Sequence, residues 1–527
     1  MKFGKTLLAI SMSAVLAAPV CQAEVKNLIL MIGDGMGPQQ VGLLELYARE
    51  APNSIYIGKS TAIRKFAKEG LVGMSLTNPH DSIVVDSACS ATQLAIGQFA
   101  PSEVIGLDAK GNPAETLLEK AKRLGKATGL VSDTRLTHAT PASFAAHQPH
   151  RSLENEIAVE MLETGADVML SGGLRHWIPK EVNDKGPVYQ KLLKMTDGAV
   201  KIKSKRKDSK NLITKAQKDG YQVAFNREQL ASADNDGKLL GLFSHSGMDN
   251  GIRYTAKKND PKRTQPSLKE MTMKALDVLS QDEDGFFLMI EGGQIDWAGH
   301  NNDAGTMLHD LLKFDEAIEY VYEWVKNRKD TMVIITADHE TGSFGFSYSA
   351  KNIPQAKKLP GSGFSKQDYK PNYNFGDKKL LDRLYAQSMS FEDMTGKFYD
   401  LDKSQQTPEA FRRIMNAHTD FPITLEQAKV ILTDTPNPYQ TLGHSSLSAD
   451  TLPAVHDFQS FYVYGEEIRW DLMGRALSEQ QNIVWGTGTH TTTPVGVFAW
   501  GPLEDIKPFS QVTHHSQVGQ FMMDSIK

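Results

Sequence analysis

Cysteine is nearly absent from this chain of 527 residues, which contains only Cys21 and Cys89. Cys21 lies in an N-terminal segment that we expect to be removed, so the mature chain would hold one cysteine and could form no internal disulfide bond. Its stability would then come from the packed core, from bound metals or from assembly. Long apolar runs are missing as well. Beyond the N-terminal segment, no run of about 18 apolar residues indicates a membrane helix.

The chain also lacks a strong charge of either sign. Its formal net charge is −5 at pH 7, which is small for this length and gives no support for a nucleic-acid partner. One basic run, residues 201–207, holds four lysines and one arginine within a lysine-rich stretch. Such a run is typical of a solvated surface, and a patch that attracts phosphate is the alternative.

The first 23 residues have the pattern of a secretory signal peptide. Lys2 and Lys5 give a positive start, residues 7–20 are apolar or small, and residues 21–23 form a small-x-small cleavage site. A lipid anchor on Cys21 is the alternative, but the valine before it fits such a motif poorly. We therefore expect a periplasmic or secreted protein without a membrane anchor.

Short apolar runs that end in glycine or polar residues are interpreted as buried strands, and they alternate with stretches of helical periodicity. The runs are 25–32, 127–131, 166–170, 285–290, 331–336 and 495–500. This alternation predicts an α/β fold with a doubly wound, mostly parallel sheet flanked by helices. The pattern breaks over residues 343–465, which are rich in Lys, Pro, Tyr, Asn and Asp. We interpret them as an insertion into a core formed by residues 24–342 and 466–527.

Carboxylates, histidines and a hydroxyl follow several of these runs. In doubly wound sheets ligands bind beyond the carboxyl ends of the strands, so we expect these side chains to share one site. The residues are Asp34, His138, Thr140, Glu291, Asp296, Asp338 and His339.

Two pairs among the candidates have the spacing of metal ligands. Asp296 and His300 are four residues apart and would share one face of a helical turn. Asp338 and His339 are adjacent at a strand end. Mixed histidine and carboxylate sets suit zinc, whereas carboxylates combined with a hydroxyl suit magnesium. The oxygen-only set is Asp34, Thr140 and Glu291. For each pair the alternative is a surface pair or a satisfied buried polar group.

Residues 86–92, with the sequence DSACSAT, lie between an apolar step at 83–85 and a helix-compatible stretch. A serine at such a helix start would be close to free backbone N–H groups and to the positive end of the helix dipole, which favour an anion. Turns rich in small residues are usually a matter of tight packing, so this stretch alone is a weak indication of function.

Taken together, six motifs closely resemble the alkaline phosphatase family. They occur in the family's order between Ile32 and Gly501: IGDGMG, DSACSAT, THATP with Arg151 following it, EGGQIDWAGH, TADHETGSFG and GTHTTTPVGVFAWG. The tryptophan after Asp296 and the long insertion are most similar to the marine-bacterial members.

The resemblance implies a phosphomonoester hydrolase that uses two zinc ions and one magnesium ion per subunit. Ser87 would be the nucleophile that forms a phosphoserine intermediate, and Arg151 would clamp the phosphoryl oxygens. The implied ligands are Asp296, His300 and His490 for one zinc, Asp34, Asp338 and His339 for the other, and Asp34, Thr140 and Glu291 for magnesium. His138 and Trp297 would occupy positions around these ligands that vary among family members.

The implied chemistry is consistent with elementary physical arguments. A serine hydroxyl is a poor nucleophile at neutral pH, and metal coordination can hold it as an alkoxide. The charges of the four carboxylates, three divalent ions, Arg151, an ionised Ser87 and a monoester dianion sum to zero. A diester carries one negative charge fewer, so the implied site matches monoesters.

The resemblance also implies a homodimer that acts on small phosphorylated substrates, with residues 343–465 covering the site or forming the dimer interface. Two other classes remain open. A related two-zinc phosphodiesterase or sulfatase is one, although a diesterase would lack Arg151 and the pair Thr140 and Glu291. A non-catalytic phosphate- or metal-binding protein on the same scaffold is the other, and the intact nucleophile and ligand set argue against it.

Overall fold

The computed structural model describes residues 24–527. The predicted signal peptide, residues 1–23, therefore lies outside the described residues. Among the helices of residues 24–527, none combines the length and the apolar character that a membrane span requires.

Sixteen strands occur within the described residues. In chain order they are β1 (Asn27–Gly33), β2 (Leu71–Leu76), β3 (Ala127–Arg135), β4 (Val168–Gly172), β5 (Tyr221–Ala224), β6 (Lys238–Leu242), β7 (Phe286–Gly292), β8 (Thr331–Thr336), β9 (Glu340–Thr341), β10 (Gly345–Phe346), β11 (Asp434–Pro436), β12 (Thr451–Pro453), β13 (Ile483–Val484), β14 (His490–Thr491), β15 (Val495–Trp500) and β16 (Val512–His514).

The helices of residues 24–527 number twenty. In chain order they are α1 (Pro38–Glu50), α2 (Ala62–Glu69), α3 (Ser87–Ile96), α4 (Leu117–Arg123), α5 (Ala139–Ala142), α6 (Glu154–Thr164), α7 (Pro187–Met195), α8 (Leu212–Lys218), α9 (Arg227–Ser232), α10 (Gly251–Lys257), α11 (Leu268–Leu279), α12 (Gln294–His300), α13 (Ala304–Val325), α14 (Lys379–Tyr385), α15 (Phe391–Tyr399), α16 (Pro408–His418), α17 (Leu425–Ile431), α18 (Glu467–Gln481), α19 (Leu503–Ile506) and α20 (His515–Ser525).

Ten of the strands form one sheet, in the order β16-β2-β15-β8-β1-β7-β3-β4-β6-β5. Neighbours pair in parallel except at β15, which runs antiparallel to both β2 and β8. The central strands are covered on both faces, because alternate residues of β1 belong to two different apolar clusters. Ile29 and Met31 pack on one side, whereas Leu28 and Leu30 pack on the other. The predicted α/β fold with a mostly parallel sheet flanked by helices is confirmed.

The strands predicted at 331–336 and 495–500 match β8 and β15 residue for residue, and the other predicted strands differ at their ends by a few residues. Four strands of the sheet were not predicted: β2, β5, β6 and β16. Residues 83–85 form no strand, since their backbone is irregular, and Ile83 is 75% exposed.

Residues 343–465 contribute no strand to the ten-stranded sheet. Helix α14 packs against α13, helices α15 to α17 pack in succession, and Leu381, Phe391 and Phe411 join the same apolar cluster as Leu308. The region is therefore built on one face of the sheet. Its bounds as an insertion stay a prediction.

Candidate active site

One edge of the sheet collects the candidate residues. Asp34 directly follows β1, Glu291 is the penultimate residue of β7, and Asp338 lies two residues beyond β8. His490 precedes β15, and because β15 is antiparallel to β8 its start lies at the edge where the parallel strands end. The arrangement follows the general rule that polar sites form beyond the carboxyl ends of parallel strands.

Ser87 is the first residue of α3 and is 2% exposed. Asp86 caps this helix, since its carboxylate accepts hydrogen bonds from the N–H groups of Ala88 at 3.0 Å and Cys89 at 3.4 Å. Those two N–H groups are already bound. The sequence predicts that free N–H groups at this helix start could bind an anion. The N–H groups of Ala88 and Cys89 are not free for this, because they already donate to the Asp86 carboxylate.

The first cluster of candidate ligands consists of Asp296, His300 and His490, whose donor atoms lie within 4.8 Å of one another. Each imidazole Nδ1 donates to a backbone carbonyl at 2.8 Å, His300 to Gly488 and His490 to Val85. When both rings are neutral, their Nε2 atoms carry lone pairs that face each other at 3.0 Å. Two lone pairs repel unless a cation lies between them, so this geometry fits a metal ion.

The second cluster consists of Asp34, Asp338 and His339, all completely buried. His339 Nε2 lies 3.5 Å from Asp34 Oδ1 and 3.1 Å from Asp338 Oδ2. The same nitrogen is 3.1 Å from Ser87 Oγ. Ser87 is therefore the hydroxyl next to this cluster.

The third cluster consists of Asp34, His138 and Glu291. Glu291 Oε2 accepts a hydrogen bond from the Ser132 hydroxyl and another, at 3.1 Å, from the Thr134 hydroxyl. The Thr140 side chain lies near the Glu291 carboxyl and lowers the pKa of that group, although burial dominates and raises it. The predicted magnesium ligands thus lie together, and His138 brings a nitrogen donor within reach of the same point.

Several donor atoms in these clusters are buried and make no hydrogen bond within residues 24–527. They are both Asp34 carboxylate oxygens, Asp338 Oδ2, Glu291 Oε1, Thr140 Oγ1 and His138 Nδ1. Buried polar atoms are nearly always paired, so this set requires partners beyond the protein's own groups. Divalent cations are partners that match carboxylate, hydroxyl and imidazole donors.

The carboxylates of the site pay a large desolvation penalty. Burial raises the pKa of Asp34 well above its usual range, and Asp338, Asp296 and Glu291 raise it further by repulsion. Burial likewise raises the pKa of Glu291 to about 7. Bound cations would reverse both shifts, because they stabilise the ionised carboxylates.

Arg151 lies beside Ser87 and is held from two sides. Its Nη1 donates to Asp86 Oδ2 at 3.1 Å, and its Nη2 is 3.3 Å from His138 Nε2. The His138 ring also contacts Trp297, with centroids 5.9 Å apart and planes at 78°. These contacts hold the guanidinium in the lining of the cleft to which Ser87 also belongs.

The cleft has a volume of about 740 Å³. Its walls bring together Ser87, Arg151, Trp297 and His300 with residues of the predicted insertion, Tyr464 and Glu392. The Tyr464 ring meets His300 edge-on, at a centroid distance of 5.0 Å. Sequence reasoning gave no role to Tyr464 because nothing in its neighbourhood signals a site.

The sequence around His514 and His515 resembles no metal-binding motif and predicts surface or near-surface positions, but both residues are buried. They are 7% and 0% exposed. His515 Nε2 donates to the Asp338 carbonyl at 2.9 Å, and its Nδ1 accepts from Ser75 Oγ at 2.7 Å. His515 therefore holds the backbone of the second cluster in place. A histidine pair near the end of the chain carried no local signal of this contact.

A doubly wound sheet with a buried serine, an arginine and three ligand clusters at its carboxyl edge fits the class of phosphoester hydrolases. The chain belongs to the alkaline phosphatase family: the family's model, described as alkaline phosphatase, matches residues 25–428. It is accordingly a phosphomonoester hydrolase, as the six motifs led us to expect.

Known relatives agree with this assignment. The chain is 30% identical to alkaline phosphatase 3 of Bacillus subtilis over 489 residues, which are 91% of this chain and 85% of that protein. It is 36% identical to the repressible alkaline phosphatase of Saccharomyces cerevisiae over 335 residues, 60% of this chain and 55% of that one.

Solved structures show the same fold. A cold-active alkaline phosphatase from a psychrophilic Shewanella species matches with a TM-score of 0.67 and 26% identity, over 95% of this chain and 100% of the other. The alkaline phosphatase of Thermus thermophilus matches with a TM-score of 0.71 and 24% identity, over 98% and 95% of the two chains.

Proposed function

We propose that this protein is an exported alkaline phosphatase that cleaves small phosphate monoesters through a phosphoserine formed at Ser87. The observation that carries the proposal is the position of this hydroxyl. Ser87 Oγ lies 3.1 Å from His339 in the second ligand cluster, and it lines the cleft that Arg151 also lines. A phosphoryl group in this cleft would meet the nucleophile and the clamp together.

The three clusters fit divalent ions by their donor chemistry. Zinc suits the two clusters that combine histidine with carboxylate: Asp296, His300 and His490, and Asp34, Asp338 and His339. Magnesium suits the oxygen donors Asp34, Thr140 and Glu291. When bound, such ions supply electrostatic stabilisation to the attacking and leaving oxygens of a phosphoryl transfer.

The third ion could also be zinc, and one observation favours this alternative. His138 Nδ1 is buried without a partner, and a donor atom of His138 lies within 4.8 Å of those of Asp34 and Glu291. An imidazole nitrogen suits zinc better than magnesium. Metal analysis of protein loaded from a mixture of both ions decides between them. One magnesium per subunit supports the oxygen-only site, and a third zinc supports coordination by His138.

The chain's own residues account for the covalent steps. The ionised Ser87 Oγ attacks the phosphorus atom, a P–O bond to Ser87 forms, and the bond to the alcohol oxygen breaks as that oxygen takes a proton from solvent. Arg151 can donate two parallel N–H bonds to phosphoryl oxygens, which orients the group and offsets its charge. Water then attacks the phosphoserine, one of its protons stays on the phosphate and the other returns to solvent, and the bond to Ser87 breaks as inorganic phosphate leaves and Ser87 Oγ is again ionised. Asp86 positions Arg151 throughout, since its carboxylate accepts from the guanidinium at 3.1 Å.

Three divalent ions and Arg151 would bring seven positive charges to the site, against the four ligand carboxylates and Asp86, which pairs with Arg151 at 3.1 Å. An ionised Ser87 and the phosphoryl group would neutralise most of the remaining charge, and this balance holds to within one charge for a monoester and for a diester alike. Phosphodiesterases therefore stand as the competing class.

Comparison of two chromogenic substrates tests the proposal. We expect 4-nitrophenyl phosphate to be cleaved with a much higher kcat/KM than bis(4-nitrophenyl) phosphate, and a preference for the diester would refute the monoesterase assignment. Ser87→Ala should abolish turnover, whereas Ser82→Ala, which alters an exposed serine outside the helix, should not. Undiminished turnover by Ser87→Ala would refute the mechanism.

We further propose that residues 343–465 cover the site or form the interface of a homodimer, and that the protein reaches the periplasm or the medium. Tyr464 supports a covering role, since it reaches His300 from the end of this region. Deletion of the region should change either the molecular mass in solution or the access of large substrates. A fully active product with an unchanged assembly would contradict the proposal, and cell fractionation tests the location.

A further inference from the structure

Two more arginines lie beside the proposed phosphoryl site, and the mechanism does not use them. Arg135 ends β3, and Arg175 lies in the 3-10 turn Leu174–His176 that follows β4. These strands are parallel neighbours, with Arg135 opposite Gly172 in the register. Both arginines therefore reach the carboxyl edge of the sheet, and both line the cleft that contains Ser87.

One carboxylate serves both guanidinium groups. Arg135 Nε donates to Glu154 Oε2 at 2.8 Å, and Arg175 Nη2 lies 3.8 Å from Glu154 Oε1. His176 Nε2 accepts from Arg175 Nε at 3.0 Å. Burial lowers the pKa of His176 to about 4, so this ring adds no charge near neutral pH. The group thus carries one positive charge in excess.

This cationic group lines the same cleft as the proposed phosphate clamp. Arg151 Nη2 is 3.3 Å from the His138 Nε2 atom, and the His138 backbone N–H donates to the Arg135 carbonyl at 2.8 Å, so the two chain segments are joined at His138. Arg135 and Arg175 are 17% and 20% exposed, so they are partly desolvated yet reachable from the cleft. Arg151, Arg135 and Arg175 together form one basic wall.

The basic run at 201–207 adjoins this wall instead of forming an unrelated surface. The Lys205 N–H donates to the Arg175 carbonyl at 2.9 Å, and Arg206 is buried with its Nη1 donating to the His176 carbonyl at 3.0 Å. These bonds fix the segment against the arginine turn. Its exposed side chains are Lys201, Lys203, Lys205 and Lys207.

We propose that Arg135 and Arg175 form a second anion subsite, so that the preferred substrates are phosphomonoesters that carry another phosphoryl group. This inference rests on the proposed function, with the scissile group at Ser87 and Arg151. A guanidinium matches phosphate oxygens with two parallel hydrogen bonds. Glu392 and Glu467, which also line the cleft, would repel a second anion and direct it to the basic wall.

The test compares adenosine 3′,5′-bisphosphate with adenosine 5′-monophosphate and 4-nitrophenyl phosphate. Each ratio of kcat/KM compares two enzymes on one substrate, so differences between leaving groups cancel. We expect Arg175→Gln to lower kcat/KM for the bisphosphate about tenfold, and to change it less than about twofold for the two monophosphates. Arg175→Lys keeps the charge but loses the planar guanidinium, so its kcat/KM for the bisphosphate should lie between those of the unaltered enzyme and Arg175→Gln. Lys262→Gln removes one exposed charge outside the cleft lining and serves as the matched control.

An equal loss on all three substrates, or no loss on any, would overturn the subsite. Binding of the bisphosphate to Ser87→Ala protein by calorimetry provides a readout that needs no turnover. Its Kd should rise about tenfold when Arg175→Gln is added, and an unchanged Kd would overturn the subsite. Absence of 4-nitrophenyl phosphate turnover by the unaltered enzyme would instead refute the proposed function, which keeps the two failures distinguishable.

Discussion

Glu154 offers a quantitative test of the electrostatics beside the site. It begins α6, and its Oε2 accepts from Arg135 Nε at 2.8 Å and from Thr137 Oγ1 at 2.7 Å. Burial alone would raise its pKa, but the Arg135 guanidinium, joined by His176 in the acid range where that ring is protonated, holds the pKa down at about 2, against an ordinary value of 4.5. Since each pKa unit is worth about 1.4 kcal/mol, the ionised carboxylate stabilises the fold by roughly 3 kcal/mol at neutral pH.

The replacement Glu154→Gln keeps the shape and one acceptor oxygen while it removes the charge. Because the folded-state pKa is depressed, the stabilisation is fully present above the unfolded-state pKa and is lost as the pH falls from about 4.5 toward 2. Urea unfolding should therefore show a deficit of roughly 3 kcal/mol at pH 6 to 7, which shrinks to about 2 kcal/mol at pH 3.5.

Glu156→Gln is the matched control, because it removes the same charge from the same first helical turn at an exposed position. It should change the free energy of unfolding by less than about 0.5 kcal/mol. A Glu154→Gln deficit that is absent, or that does not shrink with falling pH, would refute the reasoning.

Three further predictions concern Arg151, the three ligand clusters and His515. Arg151→Lys keeps the charge but loses the planar fork, so kcat/KM for 4-nitrophenyl phosphate should fall by at least about tenfold in steady-state assays. Exhaustive chelation should abolish activity and lower Tm, because the buried carboxylate oxygens of Asp34 and Glu291 would lose the cations that pair with them. Addition of zinc and magnesium should restore both properties, and full activity after chelation would contradict the metal assignment. His515→Phe should destabilise the protein by about 1–3 kcal/mol in urea unfolding, because the Asp338 carbonyl loses its donor, and His515→Gln should recover part of the loss.

The fold was predictable where a strand is buried on both faces. The run that became β8 is buried at all six residues, so neither face of this strand meets water. In β15 only Val495, Val497 and Ala499 are fully buried, and the alternate residues are half-buried. The strand β2 was missed because Val72, Met74 and Leu76 are 40 to 47% exposed and Gly73 interrupts the pattern. The strands β5 and β6 are short and lie in the lysine-rich stretch, where frequent charged residues interrupt the two-residue alternation of apolar and polar side chains that indicates a strand.

The candidate site was predictable in its residue types and less so in its surroundings. Asp34 and Asp338 follow strands, Glu291 lies at the end of one, and topology alone brings strand ends together. His490 joined them by family resemblance, and the antiparallel direction of β15 supplies the physical reason. His515 was missed because its contact with Asp338 joins residues 177 positions apart, and no local pattern carries that information.

The most direct test of the central claim is to trap phosphate on Ser87. The enzyme, loaded with its metals, is incubated with a phosphate monoester, quenched in acid and digested, and the peptide that spans residues 86–92 is examined by mass spectrometry. The account predicts a phosphoryl group on Ser87 that forms within the turnover time and is absent from Ser87→Ala. Steady turnover with phosphate on another residue, or turnover by Ser87→Ala at the unaltered rate, would contradict it.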